Sequence, residues 1–377
     1  MEVEFPKYAF ALQYFDTPSM LLRDYIIQFY TERGEIDIYD CRAKRMILRK
    51  TLEHKISLSD LYVGNKILVN GRQYDIVDYA DEFTRKTLGN QIQSTYAMIK
   101  PGYSQYLGET IERINKEGLQ VAKLRMGYMY REIAAKFYAE HQGKPFYDTL
   151  VRYMTSGPIV AMELVGQNAI AKWRQIIGPT NLDNAKAQAP ESLRARFARS
   201  TTENFAHGSD SPESAKRELG IIFGDNSIRL VASHQESTLC VVKPHIVKEN
   251  LAGQLIQMIT KAGYQIVGAA MESYDIQAAN EFYECYRGVI DNYMEITTEF
   301  ASGPLIGLEL KKEGSFDVVR DFRELVGPID IKVAKVIRPE SIRAKFGKNQ
   351  TYCAVHCTDI PEEAEIETRY FFELFDH

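Results

Sequence analysis

The sequence predicts an α+β protein in three parts: a small β-rich module at residues 1–90, then two copies of one α+β sandwich at 91–223 and 237–377. Three observations lead there. A set of short motifs occurs twice, in the same order. Within each copy, apolar strand-like runs alternate with segments of helical spacing. Before the first copy, apolar and polar residues alternate between turn signals, as in short half-buried strands.

In the module, Ile36 to Asp40 alternates apolar and polar as a half-buried strand does, and 66–69 (KILV) and 75–79 (DIVDY) are further strand candidates. Asn70-Gly71 between the last two is a strong hairpin signal, and Arg33-Gly34 marks an earlier turn. The basic run from Arg42 to Lys50 has two readings, a contact for an acidic partner or the charged edge of an exposed strand.

The copies register along their whole length. TYAMIKP at 95–101 answers TLCVVKP at 238–244, and SGPIVAMEL at 156–164 answers SGPLIGLEL at 302–310. RQIIGP at 174–179 answers RELVGP at 323–328, and ESLRARF at 191–197 answers ESIRAKF at 340–346. The offset grows only from 143 (243 − 100) to 149 (356 − 207), so a few loop residues separate the copies. Each copy opens on a strand such as Tyr96 to Ile99. A helix with Leu107, Ile111 and Ile114 on one face follows and ends at Gly118. Next come a strand from Leu119 to Met126, a helical segment from Arg131 to Glu140 and a strand from Ile159 to Leu164. The expectation is a small sheet with helices on one face, its neighbouring strands not necessarily parallel. The polar stretch from Gly224 to Glu236 is the expected connection.

Composition narrows the function. The net charge of −5 gives no electrostatic case for nucleic-acid binding, so an anionic ligand needs a local cluster of cations. The five cysteines are scattered without Cys-x-x-Cys spacing, which argues against a zinc site or a disulfide framework. The N-terminus is acidic and lacks the apolar core of a signal peptide, and no apolar run is long enough to span a bilayer. A protein of a reducing compartment that acts away from membranes is expected.

Asn204-Phe205-Ala206-His207-Gly208-Ser209-Asp210 is the candidate chemical centre. An imidazole is a competent nucleophile near neutral pH, and small polar neighbours leave room for an anion. Taken alone, a histidine in a polar turn is more often a hydrogen-bonding residue. An altered copy stands at Tyr352-Cys353-Ala354-Val355-His356-Cys357-Thr358-Asp359.

These residues carry a resemblance. NFAHGSD at 204–210 with ESAKRE at 213–218, Ile99-Lys100-Pro101 and Ser156-Gly157-Pro158 resemble nucleoside diphosphate kinases, and the likeness covers both repeats nearly end to end. YDCRAKRMILRK at 39–50 and YVGNK at 62–66 resemble the pleckstrin-homology-like module of ciliary proteins. One such module before two kinase repeats resembles the layout of an axoneme- and centrosome-associated member of the family. The resemblance implies that each sandwich is ferredoxin-like and that the reaction is ping-pong. A histidine takes the γ-phosphate of a nucleoside triphosphate such as ATP and gives it to a nucleoside diphosphate. It makes His207 the nucleophile and Glu218 the carboxylate orienting it, with Ser209 in the same hydrogen-bonded cluster. Lys100, Arg174 and Arg194 are to neutralise the phosphates, with Tyr138, Thr180 and Asn204 hydrogen-bonding them and Phe146 carrying the base. Arginine forks suit phosphate oxygens, and stacking tolerates any base. No Walker-type loop is present. Mg²⁺ is implied through the nucleotide phosphates rather than through protein ligands. Tubulin and other axonemal or centrosomal proteins are the implied partners, and the cytoskeleton of the cilium, basal body or centrosome the implied location.

The second repeat keeps Lys243, Tyr283, Arg323, Arg343, His356 and Glu367. Ile329 replaces Thr180, Cys353 replaces Asn204, Cys357 adds bulk where Gly208 stands, and Asn292 or Tyr293 takes the place of Phe146. Gly102 of the first repeat replaces the family's usual aspartate after Lys-Pro. A lost hydrogen bond to a charged phosphate costs about 1.5–3 kcal/mol, so two such losses amount to roughly a few orders of magnitude in affinity. The expectation is an enzyme active mainly through its first repeat. The rival is a structural component of ciliary microtubules whose kinase folds serve as binding surfaces.

Overall fold

The computed structural model describes residues 5–16, 19–53, 56–89, 92–224, 228–231 and 235–374. Residues 1–4 at the acidic N-terminus, and 225–227 and 232–234 of the expected connection, lie outside the described residues.

The module is an antiparallel sheet of β1 (Lys7–Asp16), β2 (Leu21–Tyr30), β3 (Glu35–Asp40), β4 (Arg45–Leu52), β5 (Lys66–Val69) and β6 (Arg72–Tyr79) in the order β4-β3-β2-β1-β6-β5. Its concave side closes over Phe10, Leu12, Ile27, Ile36, Ile38, Ile67 and Ile76. Asn70 and Gly71 take the positive φ values of 49° and 75° that a two-residue hairpin turn demands. Strand β4 is an outer edge, and Arg45, Met46, Ile47, Arg49 and Lys50 on it are exposed. The basic run therefore charges a free strand edge. Glu82–Thr84, capped by Asp81, ends the module.

Each repeat forms four strands: β7 (Ile92–Ile99), β8 (Gln120–Tyr128), β9 (Pro158–Gln167) and β10 (Ala206–Gly208) in the first, and β12 (Thr238–Val242), β13 (Tyr264–Glu272), β14 (Leu305–Lys312) and β15 (Val355–Cys357) in the second. A short β11 (Arg229–Leu230) between them pairs with β8. The order is β10-β7-β9-β8-β13-β14-β12-β15, with every pair antiparallel. Within a repeat this runs fourth, first, third, second, the ferredoxin-like arrangement. The expectation of helices on one face is corrected, because both faces are covered. Ala97 and Ile99 of β7 meet the helices Leu107–Lys116 and Ala169–Ile177, while Tyr96 and Met98 meet Arg131–Phe137, Tyr147–Met154 and Pro212–Phe223. A strand buried on both sides reads as a continuous apolar run, as TYAMI does.

The repeats join edge to edge. Arg125 of β8 pairs with Ala270 of β13, so one sheet runs through both. Beneath the seam, helix Leu107–Lys116 packs on helix Ala252–Lys261 at two glycines. A Cβ on Gly108 would lie 2.6 Å from the backbone nitrogen of Gln257, and one on Gly253 would lie 2.5 Å from that of Glu112. Only glycine allows backbones this close. The repeats thus pair within one chain. The module rests on the second repeat through Lys248–Asp60 (3.1 Å) and through Gln73, whose side chain donates to the Tyr274 carbonyl (3.1 Å). Among the described residues no helix is long and apolar enough to cross a membrane.

Candidate active site

Strand β10 places His207 opposite Met98 of β7. Two residues earlier, Phe205 holds φ 75°, a left-handed backbone that costs a non-glycine residue about 1–3 kcal/mol. The turn is fixed from behind: the Trp173 indole N–H donates to the His207 carbonyl (3.0 Å), and a Cβ on Gly208 would lie 2.4 Å from that indole. Helix Pro212–Phe223 is capped by Ser211, has Pro212 in its first turn, and buries Glu218 beneath the imidazole. One Glu218 oxygen lies 3.0 Å from His207 Nε2 and accepts from the Ser209 hydroxyl (2.7 Å). Ser209 in turn accepts from the Tyr96 N–H (3.3 Å). A carboxylate at Nε2 favours the tautomer with its proton there, which puts the ring's lone pair on Nδ1.

Above this group lies a cleft of about 890 Å³. Lys100, Tyr138, Phe146, Arg174, Thr180, Arg194, Asn204, His207 and Glu218 all line it, and Ser209 stands behind it on Glu218. Arg194 is buried and donates to the carbonyls of Gly178 (2.6 Å) and Ala206 (2.7 Å) and to Thr180 Oγ1 (3.3 Å). Burial, with Arg174 nearby, pulls its guanidinium down to about 10. Lys100 is 6% exposed. Burial, with Arg194 nearby, pulls its ammonium down to about 7. Among the described residues, no carboxylate pairs with either. The Tyr138 hydroxyl, Arg194 Nε and Asn204 Oδ1 are buried and have no hydrogen-bond partner among the described residues. Buried polar groups are normally satisfied, so such a cluster marks where a polar ligand belongs. At the mouth, the Phe146 ring is 49% exposed. Two buried cations, a third exposed at Arg174, and an exposed ring at the rim suit a phosphorylated planar molecule.

Several contributors escaped sequence reading. His141, which reads as a loop residue, lines the cleft with its ring edge-on to Phe146 at 5.6 Å. Arg217 lines it too, held by Glu140 (2.9 Å). The helical repeat of ESAKRE offered Arg217 as a signal; nothing local flags the Trp173 brace or the Phe205 backbone.

The second cleft, about 1240 Å³, repeats the scaffold with different occupancy of its charges. His356 Nε2 lies 3.1 Å from Glu367, and Thr358 donates to the same carboxylate (2.8 Å), standing where Ser209 stands. Arg343 donates to the carbonyls of Gly327 (2.9 Å) and Val355 (3.5 Å), as Arg194 does to theirs. Lys243 and Tyr283 line the wall. Cys353 turns its thiol back to the Val355 carbonyl (3.4 Å), and Ile329 presents only carbon. Asn292, not Tyr293, replaces Phe146: each precedes the helix that follows, and Tyr293 is buried. Cys357 adds its thiol where Gly208 stands, and in the same register Phe322 takes the place of Trp173; both are buried in one core cluster. Arg323 is tied to Asp359, which also accepts from Tyr286. Lys243 lies 3.6 Å from Glu299, whose other oxygen is 2.7 Å from His245 Nδ1.

Among the described residues, no group of three or more His, Cys, Asp or Glu side chains is placed to hold an ion. The first cleft's donors are cationic and fit phosphate oxygens.

The nucleoside diphosphate kinase family model matches residues 93–228 and 236–376. The Nucleoside diphosphate kinase homolog 7 of Rattus norvegicus is 38% identical over 374 residues, 98% of this chain and 94% of that protein. The Mus musculus protein of the same name is 37% identical over the same shares. The match to both runs through the N-terminal module. The Nucleoside diphosphate kinase of Deinococcus radiodurans is 49% identical over 139 residues, 36% of this chain and 99% of that protein. Two family matches in tandem, and relatives alike from end to end, place the chain in the nucleoside diphosphate kinase family.

Proposed function

We propose that the chain transfers the γ-phosphate of a nucleoside triphosphate to a nucleoside diphosphate through a phosphohistidine at His207, with the first repeat carrying the activity. The observation that supports this most is the Glu218-held imidazole at the floor of a cleft with three cations and unsatisfied polar groups. Phosphoryl transfer needs mainly positioning and charge stabilisation. Phe146 holds the base, and Lys100, Arg174 and Arg194 hold the phosphate oxygens. Nδ1 of His207 attacks the γ-phosphorus while its bond to the diphosphate oxygen breaks. The cations offset the charge left on the diphosphate. Glu218 keeps the proton on Nε2 and stabilises the imidazolium-like ring, and the reverse step delivers the phosphoryl group to the acceptor. Mg²⁺ would arrive on the nucleotide phosphates and supply further charge neutralisation.

Incubation with γ-labelled ATP is expected to leave acid-labile, base-stable label on the first repeat, and His207→Ala is expected to remove it. Undiminished acid-labile label on that repeat would overturn the assignment.

A structural role stands beside this reading. We include in the proposal that the chain associates with tubulin and other axonemal or centrosomal proteins of the ciliary cytoskeleton. The resemblance of the module to a ciliary domain supports this, as does the exposed basic edge of β4, complementary to an acidic surface. The self-paired charges of the second cleft favour a scaffold role for that repeat.

A further inference from the structure

The two clefts differ most sharply at a position that no motif marks. Three residues before each Ser-Gly-Pro, the first repeat has Tyr153 and the second has Glu299. Both lie beneath the cleft lysine. In the first repeat the Tyr153 hydroxyl donates to the Pro101 carbonyl (3.0 Å), and its ring lies 6.0 Å from Lys100 Nζ. It adds no charge, so among the described residues the ammonium of Lys100 donates to the Thr202 carbonyl (3.4 Å) and otherwise addresses the cleft. In the second repeat, Glu299 is 2% exposed, as is Lys243, 3.6 Å away. His245, which stands where the first repeat has Gly102, secures the carboxylate with its backbone N–H (3.3 Å) and its Nδ1 (2.7 Å). Lys243 also donates to the Thr351 carbonyl (2.9 Å).

Two charges buried together pay a desolvation cost that only their pairing offsets, so the pair stays closed. A phosphate entering this cleft must compete with a fixed carboxylate for Lys243 and meets that carboxylate's repulsion.

We propose that Glu299, held by His245, is the residue that closes the second cleft to nucleoside polyphosphates by neutralising Lys243. Loss of the Thr180 and Asn204 counterparts is then secondary. This rests on the reading of both clefts as nucleotide sites. Glu299 is a specificity-determining residue, and position 153/299 decides which repeat accepts the anion.

The test uses the full chain and Mg-ADP, titrated calorimetrically. The unaltered chain is expected to bind one equivalent, in the first cleft. Glu299→Tyr with His245→Gly copies the first repeat, where a buried lysine is tolerated without a carboxylate. It is expected to add a second equivalent, tightened at least tenfold over any second binding event of the parent. The reciprocal Tyr153→Glu is expected to weaken the first cleft at least tenfold, and it reads the same principle if the double variant unfolds. Ile329→Thr with Cys353→Asn, with Glu299 kept, is expected to add no second equivalent. The proposal is overturned if that last variant gains the second equivalent. It is also overturned if the double variant folds, keeps its first equivalent and gains nothing, or if Tyr153→Glu binds like the parent. A parent that binds no Mg-ADP at all would overturn the nucleotide reading of the clefts, an outcome distinct from these.

Discussion

At the residue scale, the first cleft concentrates consequences on Lys100 and Gly208. Lys100 is drawn down to about 7 because its charge is buried and Arg194 lies near. At about pH 8 the free cleft therefore holds the lysine largely neutral, whereas a bound phosphate favours the charged form. Mg-ADP binding is expected to take up a proton, approaching one per chain near pH 8 and falling toward none below about pH 6. Calorimetry in buffers of different ionisation enthalpy measures it, and net proton release at pH 8 would contradict the geometry. Gly208 cannot carry a Cβ against Trp173, 2.4 Å away. Gly208→Ala is expected to cost about 1–3 kcal/mol by overpacking, read as a lower thermal midpoint. Adding Trp173→Phe, the pairing that Cys357 and Phe322 represent in the second repeat, is expected to recover part of the loss. A double variant no more stable than Gly208→Ala alone would show that the ring and the small residue are not coupled. His207 stood out from its own small polar neighbours, while Glu218 and the three cations came from the family resemblance of the motifs; all five line one cleft. Phe205 was not: its φ of 75° is imposed by the fold on a residue that carries no glycine or asparagine signal.

At the element scale, recurrence made the sheet legible. Strands β7, β8 and β9 and the helix ending at Gly118, with φ 73°, lie where the apolar spacing put them. The coverage of both sheet faces was hidden, because a continuous apolar run such as TYAMI does not tell one covered face from two. Strands β1 and β2 escaped notice. Leu21 and Leu22 are exposed at the start of β2, which spoils its alternation, and no Asn-Gly joins the pair. The helix pair at the repeat seam was equally silent, since edge pairing depends on two surfaces far apart in sequence. Its one trace is a glycine recurring at the start of the same helix, Gly108 and Gly253. Gly253→Val would push a side chain into the backbone of Glu112. It is expected to destabilise the repeat pair by at least about 1–3 kcal/mol, read as a lower denaturant midpoint for the whole chain. An unchanged midpoint would mean that the two helices part without cost.

At the scale of the molecule, two family domains that pair within one chain share a sheet, and the module rests on the second of them. The division of labour proposed here leaves the first cleft to chemistry and the rest to attachment. A chain lacking residues 1–90 is expected to lose its place on ciliary microtubules, and His207→Ala is expected to keep it. Full axonemal occupancy by the truncated chain would move the anchor to the repeats. The central claim, that one cleft transfers phosphate, is tested most directly by the rate at which purified full-length chain moves the γ-phosphate of ATP to a second nucleoside diphosphate. His356→Ala is expected to retain nearly the full rate and His207→Ala to abolish it. Transfer that survives His207→Ala, or is lost with His356→Ala in a folded chain, would contradict the account.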